Sequence, residues 1–354
     1  MRFAPPGALL FVAAFVGACA ETTSGPPVTP TTSGGPPPPA PVGDASAAAC
    51  GDGAPLTVRF YDSGQALAVL LTLPDGRQVL VDAGESPRRP CAGCKAWHER
   101  VMSGLRRDVG ARGLDALWIT HQHSDHVGGA EAVLTTFKTA LYVDNGLDLD
   151  KTAVIRDARA AAAATDATIH VVDPERPASP IAEGGSVRFT PILPSKWTAG
   201  CPRDPNECSI GLRVDYCKSS LLFTGDAPVE EEDAWDLRGE VTLLQVGHHG
   251  SETSTGPSFL ERARPKYAVI SAAKQNEGTN DGYCHPSAAV VEELTAAMGG
   301  PGAKTVRAFD ATNTCVRGGT DNWRDVPASD SLWVTARDGD VVLRTIGDGT
   351  FTRE

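Results

Sequence analysis

The chain has 354 residues, more than a single core usually needs, and carries 44 Asp and Glu against 32 Lys and Arg, for a net charge of −12. Adjacent basic residues occur at Arg88-Arg89 and Arg106-Arg107, without the basic stripe of a nucleic-acid binder. This balance does not exclude a phosphate-bearing substrate, because bound metal ions can supply local positive charge.

Met1-Arg2, an apolar stretch from Ala8 to Val16 and the small pair Gly17-Ala18 before Cys19 read as a secretory signal. The stretch is shorter than the ~20 residues that a spanning helix takes. Val16-Gly17-Ala18-Cys19 resembles the bacterial lipobox. Residues 1–19 are therefore expected to be a lipoprotein signal peptide ending in a lipidated Cys19. The mature chain is expected to be exported and membrane-anchored on the periplasmic or extracellular side. Residues 20–54 are rich in Thr, Ser, Gly and Pro and hold too little apolar bulk to build a core, so a disordered tether is expected there. Eight further cysteines follow Cys19, an even number that suits disulfides in an exported chain. Cys91 and Cys94 are expected in disulfides, Cys201 with Cys208 would close a short loop, and Cys284 is read as a disulfide partner.

Residues 55–354 read as one domain of short strands and helices. Val58–Tyr61 alternates, and Ala68–Leu73 and Gln78–Val81 flank a hairpin turn at Pro74-Asp75-Gly76. Lys95–Val109 has the period of an amphipathic helix, Leu114–Ile119 reads as a strand, and an Ala-rich helix over 153–165 separates strands at Leu141–Val143 and Thr168–Val172. Ser186–Ile192, Ile210–Tyr216 and Ser220–Phe223 form an all-strand stretch, followed by strands at Val241–Val246 and Tyr267–Ser271. A helix is expected from Pro286, at its first position, to Met298. Leu332–Ala336 and Val341–Ile346 are expected to close a last hairpin across Arg337–Asp340. Two strand-rich halves, each ending in helices, predict an α+β fold of four αββα layers.

Residues 120–129 read Thr-His-Gln-His-Ser-Asp-His-Val-Gly-Gly. A strand-like run leads in and a helix-like run leads out, so a tight turn would aim His121, His123, Asp125 and His126 into one hollow. Imidazoles with a carboxylate suit Zn²⁺, Mn²⁺ or Fe ions. His121 and His123 are expected on one ion, Asp125 and His126 on a second. Asp226 ends an apolar strand, a poor place for an unpaired carboxylate unless it bridges two cations. His248-His249 end another apolar strand; neighbours on a strand point to opposite sides. His249 is therefore placed on the second ion, and His248 is placed either there or against substrate. Asp82, at a strand end, is expected to orient a ligand imidazole. Asn206 and Ser209 either face the open metal position or form a plain turn. Glu230–Asp233 is expected to open a helix, where acidic side chains favour the N-terminal dipole.

From Leu56 onward the chain resembles a metallo-β-lactamase-fold hydrolase. It is most similar to the branch that includes the hydrolase domain of the competence DNA-uptake channel and the choline-phosphate esterases of teichoic acid. The resemblance rests on Val58–Gln65, Val79-Leu-Val-Asp-Ala-Gly84, the His-rich motif, Asn206–Ser209 with Leu221-Leu-Phe-Thr-Gly-Asp226, Val246-Gly-His-His-Gly-Ser251, Pro265–Ile270 and His285-Pro286, in that order. Gly64-Gln65-Ala66-Leu67-Ala68 departs from the branch's Gly-Gln-Gly-Asp-Ala. Only His170 lies between the first motif and Asp226, and it looks structural. The resemblance implies a binuclear metal-dependent hydrolase with two divalent ions, zinc foremost and Mn or Fe as alternatives. A metal-bridging hydroxide is expected as nucleophile, held by Asp125 and Asp226, with His248 or His285 donating a hydrogen bond or proton. A phosphoester, foremost a phosphodiester, carried by a small molecule or polymer is the expected substrate. Lactone, amide or β-lactam hydrolysis and a non-catalytic metal-binding lipoprotein assisting DNA uptake are the alternatives.

Overall fold

The computed structural model describes residues 53–148, 153–172, 174–175, 177–195, 197 and 204–354. The expected signal, Cys19, nearly all of the tether, and Cys201 lie outside these residues. The first half supplies β1 (Leu56–Phe60), β2 (Val69–Thr72), β3 (Gln78–Val81), β4 (Leu114–Trp118), β5 (Thr139–Asp144) and β6 (Thr168–Val171). The second supplies β7 (Val187–Ile192), β8 (Gly211–Tyr216), β9 (Ser219–Phe223), β10 (Leu243–Gln245), β11 (Tyr267–Ile270), β12 (Lys304–Phe309), β13 (Trp323–Ala328), β14 (Leu332–Val334), β15 (Val341–Thr345) and β16 (Thr352–Arg353). Helices used below are α1 (Cys94–Val109), α2 (Ser124–Val127), α3 (Ala130–Thr136), α4 (Val154–Ala164), α5 (Val229–Ala234), α6 (Pro257–Ala263), α7 (Asn280–Tyr283) and α8 (Ala288–Ala297).

Among the described residues one sheet runs β16-β15-β1-β2-β3-β4-β5-β6 and a second runs β14-β11-β10-β9-β8-β7. The period-2 pleat explains why both are needed. Val79 and Val81 of β3, Trp118 of β4, Leu212 and Val214 of β8, Leu221 and Phe223 of β9 and Leu243 of β10 meet in one core between the sheets. The intervening residues point the other way. Leu80 and Leu117 pack under α1, α3 and α4 through Leu105, Val133 and Ile155. Leu222 and Leu244 pack under α6 and α8 through Phe259 and Val291. Each fully buried Leu, Val or Phe contributes about 1.5–3 kcal/mol. Sheet residues apolar on both faces therefore demand four layers, and the αββα expectation holds.

Parallel pairing decides where the site lies. β3 and β4 run parallel, as do β9, β10 and β11. Their C-terminal ends carry Asp82, the His-rich loop, Asp226, His248-His249 and Ser271.

Two expectations need correction, and one element was not expected. Leu332–Ala336 and Val341–Ile346 do not form a hairpin: β14 pairs with β11 in one sheet and β15 with β1 in the other. The Asp-Gly turn between them closes no ladder, because each strand has a better-matched apolar partner far away in sequence. Pro286 lies outside α8, which begins at Ala288 with Ser287 as its N-cap. The hairpin of β12 and β13 was unforeseen; β13 buries Trp323, Val326 and Ala328, an uneven spacing that mimics neither a strand nor a helix.

Disulfides join Cys91 to Cys94 and Cys284 to Cys315. Cys208 and Cys217 each take part in a disulfide as well. Leu67, which replaces the branch's Asp, is 1% exposed in the inter-sheet core.

Candidate metal centre

The His-rich loop is fixed from both sides. Trp118 at the end of β4 fills the inter-sheet core and donates its Nε1–H to the carbonyl of Ile210 (3.2 Å). Thr120 then donates its backbone N–H to Asp82 Oδ1 and its hydroxyl to Asp82 Oδ2, each at 2.8 Å. The short α2 packs against the strand end that carries Asp82, with Ala83 N–H bonded to the His126 carbonyl (2.7 Å) and Ser86 N–H to that of Ser124 (3.1 Å). A Cβ at Gly128 would collide with the backbone of Ser124 and Ser86. The glycine that follows the motif thus permits this close approach.

Asp226 arrives from β9. Gln245 Oε1 accepts from the N–H groups of Thr224 (2.8 Å) and Gly225 (3.0 Å), which shapes the turn. Gly225 has φ +58, and a Cβ there would sit 2.8 Å from Thr120. Asp226 N–H donates to Ser209 Oγ (3.3 Å).

His248 and His249 differ from their expected arrangement. They lie beyond β10 in a turn, Gly247–Gly250, with left-handed φ of 46° and 55°. The turn replaces strand alternation, and both Nε2 atoms come within 3.7 Å of Asp226 Oδ2. His249 Nδ1–H donates to the Ser271 carbonyl (2.7 Å), which leaves its Nε2 lone pair towards the carboxylates. His248 is 25% exposed and its Nδ1 pairs with Thr253 Oγ1 (2.8 Å).

The donors form two compact groups, His121/His126/Asp226 and Asp125/His126/His249, with each group's ligand atoms within 4.8 Å of one another. These are drawn differently from the pairs expected from chain order. His123 caps the start of α2 outside both groups, its Nδ1 3.1 Å from His121 Nε2. His126 is held as Asp82 was expected to hold a ligand: its Nδ1 lies 2.7 Å from Asp82 Oδ2, and its Nε2 faces Asp226 Oδ1 at 3.1 Å. His285 lines the same cavity, its ring 5.6 Å from that of His248.

His126 Nε2, Asp226 Oδ1 and His249 Nε2 are buried with no hydrogen-bond partner. Three inward-facing lone-pair atoms without donors cost several kcal/mol unless something positive sits among them. Proton affinities point the same way. Burial alone would lower His126, but Asp226 and Asp82 outweigh it and hold it well above the ordinary range. Burial would raise Asp226, but His126, His249 and His248 hold it well below. His121 is pushed well down by burial and by His126. His285 is pushed down to about 3 by burial and by His248. The donor set fits divalent cations of the Zn, Mn or Fe kind.

Several supports were not read from sequence: Thr120, Gln245 and the Ser271 carbonyl. Thr120 stood in the motif itself. The rest lie on distant strand ends and loops that carry no local signal.

Fold and site together define a metal-dependent hydrolase of two stacked sheets. The metallo-beta-lactamase superfamily model matches residues 61–274, more than half of the chain, and the chain belongs to that superfamily. Among curated relatives, ComE operon protein 3 of Bacillus subtilis (strain 168) is 29% identical over 248 residues, 67% of this chain and 30% of that protein. Competence protein ComA of Neisseria gonorrhoeae is 29% identical over 245 residues, 68% of this chain and 29% of that protein. The chain thus spans less than a third of the length of these relatives. Of solved structures, the short form of human tRNase Z superposes with a TM-score of 0.40 at 16% identity, covering 62% of this chain and 94% of that one. Among the described residues no helix is long and apolar enough to cross a membrane.

Proposed function

We propose that this chain is a binuclear metal-dependent phosphoesterase, acting foremost on phosphodiesters and held at a membrane by a lipid on Cys19. The observation that carries the proposal is the triple of partnerless buried atoms, His126 Nε2, Asp226 Oδ1 and His249 Nε2, spread over two donor groups, with Asp226 and His249 lining an open cavity of about 850 Å³. His121, His123 and Asp226 would hold one divalent ion and Asp125, His126 and His249 the other, since the one free lone pair of His126, on Nε2, serves a single ion; His248 is left to face substrate. Zinc is the first choice. The ions supply Lewis acidity and charge neutralisation for a developing oxyanion.

The chain's own residues do the rest. Asp125 and Asp226, despite their burial both held below the ordinary carboxylate range by the surrounding imidazoles, stay ionised and hold positive charge. His248 is lowered chiefly by burial and His285 sits at about 3, so both are neutral at pH 7. They would therefore donate N–H hydrogen bonds to a phosphoryl oxygen or leaving group. The place of Asp226 among His121, His126, His248 and His249, where it could bridge two ions, and the lack of a ligand His between the first motif and Asp226 favour a phosphoester over a β-lactam. Elemental analysis, followed by assays with bis-p-nitrophenyl phosphate and nitrocefin, separates the two. Phosphodiester turnover that is lost in Asp226→Ala supports the reading; nitrocefin turnover alone refutes it. The competence names of the relatives favour a second reading, a non-catalytic metal-binding lipoprotein serving DNA uptake. Tightly held metal without turnover would support it. The lipid anchor predicts palmitate incorporation and membrane fractionation that Cys19→Ala abolishes.

A further inference from the structure

The cavity above the His/Asp cluster is asymmetric in charge. Arg88 and Arg89 line one part of it. Arg88 is committed elsewhere, since its Nη2 donates to Glu131 and Asp157. Arg89 is held but not saturated. Its Nη1 donates to Ser124 Oγ (2.5 Å), its Nη2 donates to the Tyr283 hydroxyl (3.3 Å), and its Nε stands 3.5 Å from Glu85 Oε2. A guanidinium has five N–H donors in a rigid fork, so at least two remain for a ligand. The three partners come from three separate segments and fix the fork in advance, which lowers the ordering cost of binding an anion.

Past Asn206 the cavity continues into a trough that shares Asp204, Asn206, Asp226 and His248 with it. Among the described residues, Glu207, Glu230 and Glu252 line the trough and no Lys or Arg does. None of these three carboxylates has an ion-pair partner among the described residues. Asn206 is 6% exposed, and its Oδ1 has no partner where the two parts join. The potential therefore reverses across the site, and a cleft wall of one sign focuses its field on whatever enters. A like charge brought against it costs affinity and rejects the wrong ligand.

We propose that Arg89 anchors a non-reacting anionic group of the substrate, and that the acidic trough shuts out a second such group on the other side. The site then takes small or chain-terminal phosphoesters and rejects the interior of a polyanionic strand. This rests on the phosphoester reading above.

The test uses the metal-loaded full chain. A single-stranded oligodeoxynucleotide ligated into a closed circle should stay intact under conditions that hydrolyse bis-p-nitrophenyl phosphate. The triple variant Glu207→Gln/Glu230→Gln/Glu252→Gln should begin to cut it. For the anchor, the p-nitrophenyl ester of thymidine 5′-phosphate is compared with and without a 3′-phosphate. The extra phosphate should lower KM about tenfold in the parent. Arg89→Ala should erase that gain without changing kcat, and Arg89→Lys should keep part of it. A circle cut readily by the parent protein, or a 3′-phosphate advantage that survives in Arg89→Ala, overturns the proposal. Failure to hydrolyse bis-p-nitrophenyl phosphate with any metal instead overturns the phosphoester reading itself.

Discussion

Asp82 has φ +55, touches Thr120 twice and His126 once, and is fully buried. A carboxylate in that position keeps the His126 proton on Nδ1 and leaves Nε2 free for a cation. Asp82→Asn keeps the shape but supplies an amide NH₂ where Oδ2 received two of the three donors. Its divalent-metal affinity, measured by competition with a chromophoric chelator, should fall by about 10–100-fold with an unchanged far-UV spectrum. Unaltered affinity would show that His126 needs no such orienter. Arg89 sits at the other extreme: it holds no part of the ion site and bears only on what the cavity admits.

Two turns that deliver ligands depend on backbone that few residues tolerate. Gly225 combines φ +58 with close approach to Thr120. Gly225→Ala should lower stability by roughly 1–3 kcal/mol and displace Asp226, so that chemical denaturation and metal titration both register it. A substitution neutral in both would contradict the packing described. The turn of His248 and His249 is backed by α5. Its Glu232 is fully buried, accepts from the Thr255 N–H, and has its Oε1 unpaired. Burial pushes its carboxyl up from 4.5 to about 8. The stability tied to the protonated form is fully present below about pH 4.5 and is lost as pH rises through about 8. Glu232→Gln should therefore melt a few degrees above the parent at about pH 9, with the difference vanishing near pH 4. Parallel melting curves across that range would rule out the buried acid.

On the scale of the molecule, a pair of sheets apolar on both faces places five strand ends side by side, and the chemistry sits where they meet. Much of this was legible. The alternation in β1, the apolar runs of β3, β4, β9 and β10, and the four potential ligands within residues 121–126 all carry local periodicity or spacing, and they lead to the four layers and the metal loop. What sequence could not convey was choice among distant partners. The run at Leu332 and the run at Val341 look like a hairpin because an Asp-Gly turn lies between them, yet the ladders β11·β14 and β1·β15 compete for them from far along the chain. Likewise, His248 and His249 follow a strand-like run, but paired left-handed residues bring both rings to Asp226. The central claim is that scattered imidazoles and carboxylates assemble around two cations. Elemental analysis of the purified protein beside its Asp226→Ala variant tests this most directly. The account predicts about two equivalents of divalent metal in the parent and at most one in a folded variant. A parent protein that retains no stoichiometric metal after saturation, or a variant that holds the full complement, would contradict it.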